Sequence, residues 1–165
     1  METLGFAREN LIGRHIYLRP PRRGDWQQWA ELRALSRDFL TPWEPTWPED
    51  SLGRDHYRRR LRQQIKEWRS GEAYSLFLFT NEGRRLAGGI NLSNVRRGVA
   101  QTGSVGYWMG EPYARRGYMS DAVKAMAPFA FGALGLDFEE HDPTGGLAPD
   151  ALPQVRRGLA DRGVD

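Results

Sequence analysis

One stretch of the sequence combines residue types that can bind an anion. Arg115, Arg116 and Gly117 lie between a strand-like segment that ends at Met109 and a helical apolar stripe that begins at Met119. The first amides of a helix have no partner within the helix, and the helix dipole places roughly half a positive charge there. Glycine lets the backbone approach a ligand closely, so the junction is suited to a pyrophosphate. A plain strand-to-helix turn with solvent-facing arginines accounts for the same residues equally well.

A second group of candidate residues lies in a loop over residues 41–48, which reads Thr-Pro-Trp-Glu-Pro-Thr-Trp-Pro. Its prolines exclude regular structure and make the loop semi-rigid. The loop therefore displays Trp43, Glu44 and Trp47 either to a ligand or to the protein core.

Four segments have the residue pattern of β-strands. They are 15–19, 73–80, 86–92 and 104–109. The linkers between the last three are too short for a crossover helix, so these strands are predicted to form an antiparallel meander. Gly88 and Gly89 indicate a β-bulge or the close approach of another segment.

The spacing of apolar residues predicts three helices, over about 25–38, 51–69 and 115–135. The first is expected to bury Trp29, Leu32, Leu35 and Phe39, and Asp25 with Gln28 has the pattern of a capping box. Ser51 is the expected cap of the second helix. Pro128 removes an amide donor from the third helix, which predicts a kink near 124–128.

The composition indicates a single globular domain and excludes several classes of protein. The 165 residues fit one domain, of which 39% are apolar and 27% charged. Zero cysteines exclude a disulfide scaffold, a thiolate zinc site and a cysteine nucleophile, and three dispersed histidines give no local metal motif, so no metal is expected. The chain has no apolar run of membrane-spanning length and its first residues lack a signal-peptide core, so a cytoplasmic protein without a membrane partner is expected.

The charge of the chain is unevenly distributed. The net charge is +3 and the sequence pI is about 9.5. Nearly all of the positive charge comes from arginine, because Lys66 and Lys124 are the only lysines. Several arginines fall off the apolar stripe of the helix over 51–69, where they form either a solvated face or an RNA-binding surface. After residue 136 the chain becomes acidic and proline-rich, has no strand pattern, and suggests only a short helix around 150–162. We therefore divide the chain into a domain over 1–136 and an atypical tail over 137–165.

Six segments together resemble the GNAT acyltransferase superfamily, and within it the Rim-type N-acetyltransferases that modify the N-terminal amine of ribosomal proteins. They are Ile-Tyr-Leu-Arg-Pro-Pro at 16–21, Asp-Phe-Leu-Thr-Pro-Trp-Glu-Pro at 38–45, Gly-Gly-Ile-Asn-Leu-Ser-Asn at 88–94, Gly-Tyr-Trp-Met-Gly at 106–110, Arg-Arg-Gly-Tyr-Met at 115–119 and Phe-Ala-Phe-Gly-Ala-Leu-Gly-Leu at 129–136. The resemblance covers about residues 13–136. It implies an α+β fold of αβα type, with a mostly antiparallel sheet flanked by helices.

The resemblance also implies acetyl-CoA as acetyl donor. Its pantetheine arm would pair with the backbone of Tyr107, Trp108 and Met109, in the manner of an added strand. The pyrophosphate would lie on a loop of consensus Gln/Arg-x-x-Gly-x-Gly/Ala, in which Ala114 replaces the first residue. The loop residues implied are Arg115, Arg116, Gly117, Tyr118, Met119 and Ser120, with Gly117 at the glycine position and Met119 at the last one.

The implied reaction is direct attack of an amine on the thioester. A peptide α-amine has a pKa of about 7.7–8.0, so a weak, water-mediated base is sufficient. Glu44 and Glu111 are the candidate bases, although each could equally fix local structure. Trp43 and Trp47 could form the wall of a peptide groove or pack on the core.

The sequence departs from the family after Leu136. A strand beginning His-Arg-x-Glu-Ala, a turn with a helix, and two further strands are expected there and do not occur, so the fold is expected to be incomplete at its C-terminus. We interpret 137–165 as a frameshifted or truncated end, the alternative being a diverged C-terminus. Three functions follow: an N-acetyltransferase, active as monomer or homodimer on a protein N-terminus or a small amine; a CoA-binding remnant; or an RNA- or ribosome-binding module.

Overall fold

A six-stranded sheet forms the centre of the molecule. The computed structural model describes the backbone of residues 10–96, 102–130 and 137–139, and the side chains of 10–93 and 104–130. Within this part of the chain the strands follow the order β1-β2-β3-β4-β5-β6. They are β1 (Leu11–Ile12), β2 (Ile16–Arg19), β3 (Tyr74–Thr80), β4 (Leu86–Arg96), β5 (Thr102–Met109) and β6 (Asp137–Glu139).

The pairing from β1 to β5 is antiparallel throughout, which confirms the predicted meander. The last strand differs in two ways. β6 runs parallel to β5, and it pairs only with Thr102, Gly103 and Ser104. The expectation that no strand occurs after residue 136 is therefore wrong: three residues suffice to extend the sheet, too few to produce a recognisable alternation. The predicted helix at 150–162 lies outside the described residues.

Four α-helices lie in the described part of the chain: α1 (Trp26–Leu35), α2 (Arg37–Leu40), α3 (Arg54–Ser70) and α4 (Tyr118–Pro128). Single 3-10 turns occupy Arg23–Asp25, Thr41–Trp43 and Glu111–Tyr113. The second of these turns corrects the expectation of a wholly irregular loop over 41–48. None of the described helices is both long enough and apolar enough to span a bilayer.

Asp25 occupies the N-cap position of α1, as predicted, but its side chain forms no capping hydrogen bond, and the predicted Gln28 capping box and Ser51 cap are wrong. The Asp25 carboxylate binds both guanidinium nitrogens of Arg19 at 2.7 Å and the N–H of Arg22 at 2.8 Å instead of capping α1. The bidentate ion pair contributes more than a capping bond, and it raises the pKa of Arg19. Gln28 accepts the backbone N–H of Leu86, and α3 begins after Gly53 without a side-chain cap.

Two apolar clusters cover the two faces of the sheet. α4 closes the first face with Met119, Ala122, Val123 and Met126 against the strands. α1 and α3 close the second face, where Trp29, Tyr57, Phe77, Phe79 and Trp108 pack together. Leu35 was expected in this core but is 65% exposed, because α1 ends there and the chain turns into α2. α-Helical geometry ends at Pro128, and residues 129–130 continue it as a π-helical turn. The kink predicted near 124–128 stays a prediction.

Gly88 and Gly89 of β4 lie in close contact with Trp108 of β5. A β-carbon on Gly89 would come within 2.5 Å of the indole Nε1 of Trp108, and one on Gly88 would overlap the Trp108 carbonyl. The register between β3 and β4 shifts beside this pair, where Leu78 faces Gly88 and Phe79 faces Leu86. Both predicted features, the bulge and the close approach, are therefore present. Because Gly89 has no side chain, the indole of Trp108 can pack against β4 on the second face of the sheet.

Candidate active site

A cleft of about 520 Å³ opens on the second face of the sheet. Its floor is formed by β3, β4 and β5, its sides by α1 and α3, and its rim by residues 44–48. The floor includes Phe77, Gly89, Asn91, Gly106 and Trp108. The volume is typical of sites that hold a small molecule or a short peptide segment.

The wall of the cleft beside α1 is held by one charged cluster. Arg33 forms a bidentate ion pair with Glu44, and the indole N–H of Trp47 donates to the same carboxylate at 2.9 Å. The Arg33 guanidinium also lies 4.6 Å from the ring centre of Trp47 and 4.9 Å from that of Trp108. The two ion-pair side chains are only 11% and 14% exposed. This cluster fixes the proline-rich loop against the end of β5.

The edge of β5 that faces away from β4 has a partner strand along only part of its length in the described part of the chain. Because β6 pairs only as far as Ser104, the described residues place no strand beside Val105–Met109. The N–H of Gly110 donates to Ala87 of β4 at 2.8 Å, and backbone groups alternate in direction along a strand. The N–H and C=O groups of Tyr107 and Met109 therefore point away from β4, toward the other edge of β5.

The turn that follows has the geometry of an anion site. Arg115 and Gly117 adopt left-handed conformations, with φ of 62° and 76°. Successive amides in such turns converge on a concave backbone surface, and here they lead into the N-terminus of α4. No heavy atom lies within 4 Å of the position of a β-carbon on Gly117, so the space before the turn is open. Arg115 and Arg116 are both exposed beside it.

Asp121 anchors this helix end to the other edge of the sheet. Its carboxylate accepts the backbone N–H groups of Arg14, His15 and Ile16 at 2.8, 2.7 and 3.2 Å. Gly13 passes so close that a β-carbon there would lie 2.8 Å from Asp121 Oδ2. An acidic residue in the first turn also interacts favourably with the helix dipole. Sequence reasoning missed Asp121, because its partners lie about a hundred residues away.

The wall of the cleft beside α3 is polar. His56, Arg60, Gln63, Gln64 and Glu67 line it. The amide of Gln63 donates to Glu67 at 2.9 Å. Arg60 and Glu67 were not predicted as site residues, because this helix was expected to carry an apolar stripe with arginines off it. Helical spacing does contain the signal, because residues 56, 60, 63, 64 and 67 share one face.

The predicted site residues fall into three places. Glu44, Trp47, Tyr107 and Trp108 line the cleft. Met109, Arg115, Arg116, Gly117, Tyr118, Met119 and Ser120 form the end of β5 and the turn into α4, where Met119 is buried in the core. Trp43 is 51% exposed and is not among the cleft residues, and Glu111 is exposed in the 3-10 turn after β5. Among the described residues no group of three or more side chains could ligate a metal.

A mostly antiparallel sheet between helical layers, with a strand edge leading into a glycine turn and a helix N-terminus, is the architecture of acyl-CoA N-acyltransferases. Residues 15–142 match the Acetyltransferase (GNAT) domain, and the chain belongs to this family. The match includes β6 and continues past residue 136, where the resemblance was expected to end.

Relatives of known description agree with this assignment. The chain is 28% identical to the Probable N-acetyltransferase YjcK of Bacillus subtilis over 146 residues, which cover 88% of this chain and 78% of the relative. It is 31% identical to the [Ribosomal protein uS5]-alanine N-acetyltransferase of Escherichia coli over 96 residues, or 58% of this chain and 50% of that enzyme. The matched part thus spans half the length of the Escherichia coli enzyme.

Solved structures show the same fold. The ribosomal-protein-S5-alanine acetyltransferase of Vibrio fischeri superposes with a TM-score of 0.76 at 21% identity, covering 94% of this chain and 82% of that one. Mycobacterium smegmatis RimJ, in complex with CoA-disulfide, superposes with a TM-score of 0.73 at 23% identity, covering 90% of this chain and 69% of that one. At 21% and 23% identity, these superpositions show that the fold is shared, and they show nothing further about this chain.

Proposed function

We propose that this chain transfers an acetyl group from acetyl-CoA to a primary amine, the N-terminal amine of a ribosomal protein being the expected acceptor. The observation that supports the proposal is the edge of β5 between the cleft and the turn into α4, beside which the described residues place no strand. A ligand that extends along this edge would reach the cleft at one end and the turn at the other. The names of the Escherichia coli and Vibrio fischeri relatives support the choice of acceptor.

The residues present suit acetyl-CoA, which would supply an activated acyl thioester. Backbone groups of Tyr107 and Met109 would bond its extended arm, as they would bond an added strand. The amides around Gly117 and the start of α4 would hold the pyrophosphate, with charge added by Arg115 and Arg116. Open space before Gly117 is the observation that fits this role.

The acceptor amine would enter the cleft on the other side of β5. Since an α-amine has a pKa of about 7.7–8.0, part of it is already neutral at pH 7 and only a weak base is needed. Glu44, in the cleft wall, and Glu111, just after β5, remain the candidates to take the proton through water. Trp47 would border the acceptor, and Trp43 would contact it only outside the cleft.

The first experiment is calorimetric titration with acetyl-CoA at two salt concentrations, followed by an assay of CoA release with alanine-starting peptides. Micromolar binding at both concentrations and release of CoA with a peptide would support the proposal. Gly117→Ala is expected to weaken acetyl-CoA binding about five- to tenfold, because a left-handed residue other than glycine costs about 1 kcal/mol and the β-carbon faces the ligand.

Gly83→Ala is the matched control for this variant. Gly83 has a φ of 80°, similar to that of Gly117, but lies in the hairpin between β3 and β4. It should show similar strain and unchanged acetyl-CoA binding. No heat with folded protein, or equal binding losses in both variants, would contradict the proposed donor site. Binding without turnover of any amine would instead identify a CoA-binding protein without transferase activity.

One observation favours a second role in binding RNA. Arg59, Arg62, Lys66 and Arg69 are exposed on α3 outside the cleft wall. Such a basic face would hold the phosphate backbone of ribosomal RNA, with affinity that falls steeply as salt increases. Binding of RNA that is insensitive to salt, or that depends on acetyl-CoA, would contradict this role.

A further inference from the structure

Arg60 is a cationic residue of the cleft that forms no ion pair or hydrogen bond within the described part of the chain. It lines the wall beside α3 and is exposed to the open space of the cleft. The ion pairs and hydrogen bonds formed among the described side chains do not include it. Arg33, across the cleft, differs in that Glu44 neutralises it in a bidentate pair.

The groups around Arg60 act on its charge in both directions. Its pKa is lowered, first by desolvation and then by the charge of Arg33, whereas the charges of Glu44 and Glu67 act to raise it. Glu44 is already bonded to Arg33 and Trp47. Glu67 lies seven residues further along α3, about 10 Å along the helix axis, and accepts a bond from Gln63. A bound anion would therefore give the guanidinium a hydrogen-bonded partner that the described residues do not supply.

We propose that Arg60 is a carboxylate-binding residue of the acceptor site, so that the preferred acceptor carries a carboxylate as well as the reacting amine. This inference rests on the proposed function, because it assigns a substrate class to the same cleft. The planar guanidinium matches a carboxylate with two parallel hydrogen bonds. One arginine balances the single charge of a carboxylate, whereas a phosphate dianion would leave excess negative charge near Glu67.

The geometry of the cleft orients such an acceptor. Tyr107 and Trp108, at one side of the cleft, belong to the strand whose edge would hold the donor. Arg60 lies on the helix that forms another side. An acceptor with its amine toward β5 and its carboxylate toward α3 spans the space between them. Two sources have this chemistry: an acidic side chain near a peptide N-terminus, and the α-carboxylate of a free amino acid.

The experiment compares matched acceptors in the assay of CoA release. One arm uses alanine-starting peptides with Asp or Asn at the second or third position. The other uses free amino acids and their amides. The carboxylate member of at least one pair is expected to have a kcat/KM about ten- to a hundredfold higher, since a charged hydrogen bond contributes about 1.5–3 kcal/mol. The arm that shows the difference identifies the source.

Variants of α3 connect this preference to Arg60. Arg60→Gln is expected to abolish the discrimination between carboxylate and amide, and Arg60→Lys to retain part of it. Arg54→Gln is the control, because it removes the same charge from the same helix at an exposed position outside both the cleft and the basic face. Equal turnover of both members of every pair in the unmodified protein would overturn the inference while leaving the proposed function intact.

A binding measurement keeps the inference testable if no acceptor is turned over. Trp29, Trp47 and Trp108 line the cleft, so their fluorescence reports its occupation. The same pairs are titrated without acetyl-CoA into the unmodified chain and the Arg60→Gln variant. Tighter binding of the carboxylate member, lost in that variant alone, would support the inference even if transferase activity is absent. Equal binding of both members would overturn it.

Discussion

The side-chain oxygen of Ser36 accepts the backbone N–H of Glu111 at 2.9 Å. Ser36 is fully buried at the junction of α1 and α2, and Glu111 begins the turn after β5. The neighbouring Gly110 passes so close to Leu32 that a β-carbon there would overlap it. One hydroxyl thus holds the helix layer that forms the cleft wall against the end of the strand that would bind the donor.

Ser36→Ala should lower the free energy of unfolding by about 1–2 kcal/mol, because the Glu111 N–H then loses its partner in a partly buried position. Acetyl-CoA binding should weaken with it, since the end of β5 is less firmly placed. Denaturant unfolding and calorimetry measure the two effects. Ser70→Ala, which removes an exposed bond to the Glu67 carbonyl, should leave both nearly unchanged. An equally stable Ser36→Ala protein would show that this bond does not connect the two elements.

Asp121→Asn should lower the free energy of unfolding by about 2–3 kcal/mol and weaken acetyl-CoA binding. Asparagine has one acceptor oxygen for three backbone N–H groups, and its own amide would face one of these donors. The control is Asp55→Asn, in the first turn of α3, where the side chain is 87% exposed. Equal effects in the two variants would mean that the helix dipole, and not the anchoring of residues 14–16, accounts for the loss.

The fold was largely predictable from local patterns. All four predicted strands and the meander order are confirmed, because these short segments are rich in strand-forming residues and are bounded by turn residues. The turn around Gly117 was predictable for a similar reason, since a glycine that follows a strand and two arginines and precedes an apolar helical stripe indicates a strand-to-helix turn. Gly88 and Gly89 were correctly interpreted because close packing is a common role for paired glycines in a strand.

The rest depends on contacts between distant segments. Asp25 has the sequence pattern of a helix cap, but the nearby Arg19 guanidinium binds it more strongly. Ser36 and Asp121 have no local partners, so their roles appear only in three dimensions. The cleft forms only when one face of α3 lies beside the sheet. That placement brings Arg60 and Glu67 into the cleft wall, and it leaves the arginines of the other face exposed.

Glu44→Gln tests whether this carboxylate holds the cleft wall or acts as the base. Both of its oxygens are bonded to Arg33, and one also to Trp47, so the variant should lower the free energy of unfolding by about 1–3 kcal/mol. The KM for the acceptor should rise as the loop loosens, with kcat falling less than tenfold. Steady-state kinetics separates the two parameters.

Glu111→Gln in the same assay tests the second candidate, which is exposed and should change stability little. A general base contributes about a hundredfold or more to the rate. A loss of kcat of that size in either variant, with a normal KM and a normal unfolding midpoint, would identify that residue as the base. For Glu44 it would also contradict a role confined to the cleft wall.

Tyr57 should make the protein less stable at alkaline pH. Burial, and then the negative charge of Asp25, raises the pKa of its hydroxyl above the ordinary value of 10.0, while the hydroxyl donates to the Arg22 carbonyl at 2.6 Å. Because the folded-state pKa is raised, the contribution is fully present below pH 10. It decreases as pH rises above 10, where the unfolded chain ionises and the folded chain does not. The slope from this residue approaches about 1.4 kcal/mol per pH unit.

Tyr57→Phe should remove that slope, which urea unfolding between pH 8 and pH 11 measures. At pH 8 the variant differs from the unmodified chain only by the loss of the hydrogen bond to Arg22, about 1 kcal/mol. The difference between the two proteins should then shrink or reverse as pH rises, because only the tyrosine must stay protonated in the folded state. Parallel stability curves over this range would show that Tyr57 ionises as easily in the folded chain as in the unfolded one.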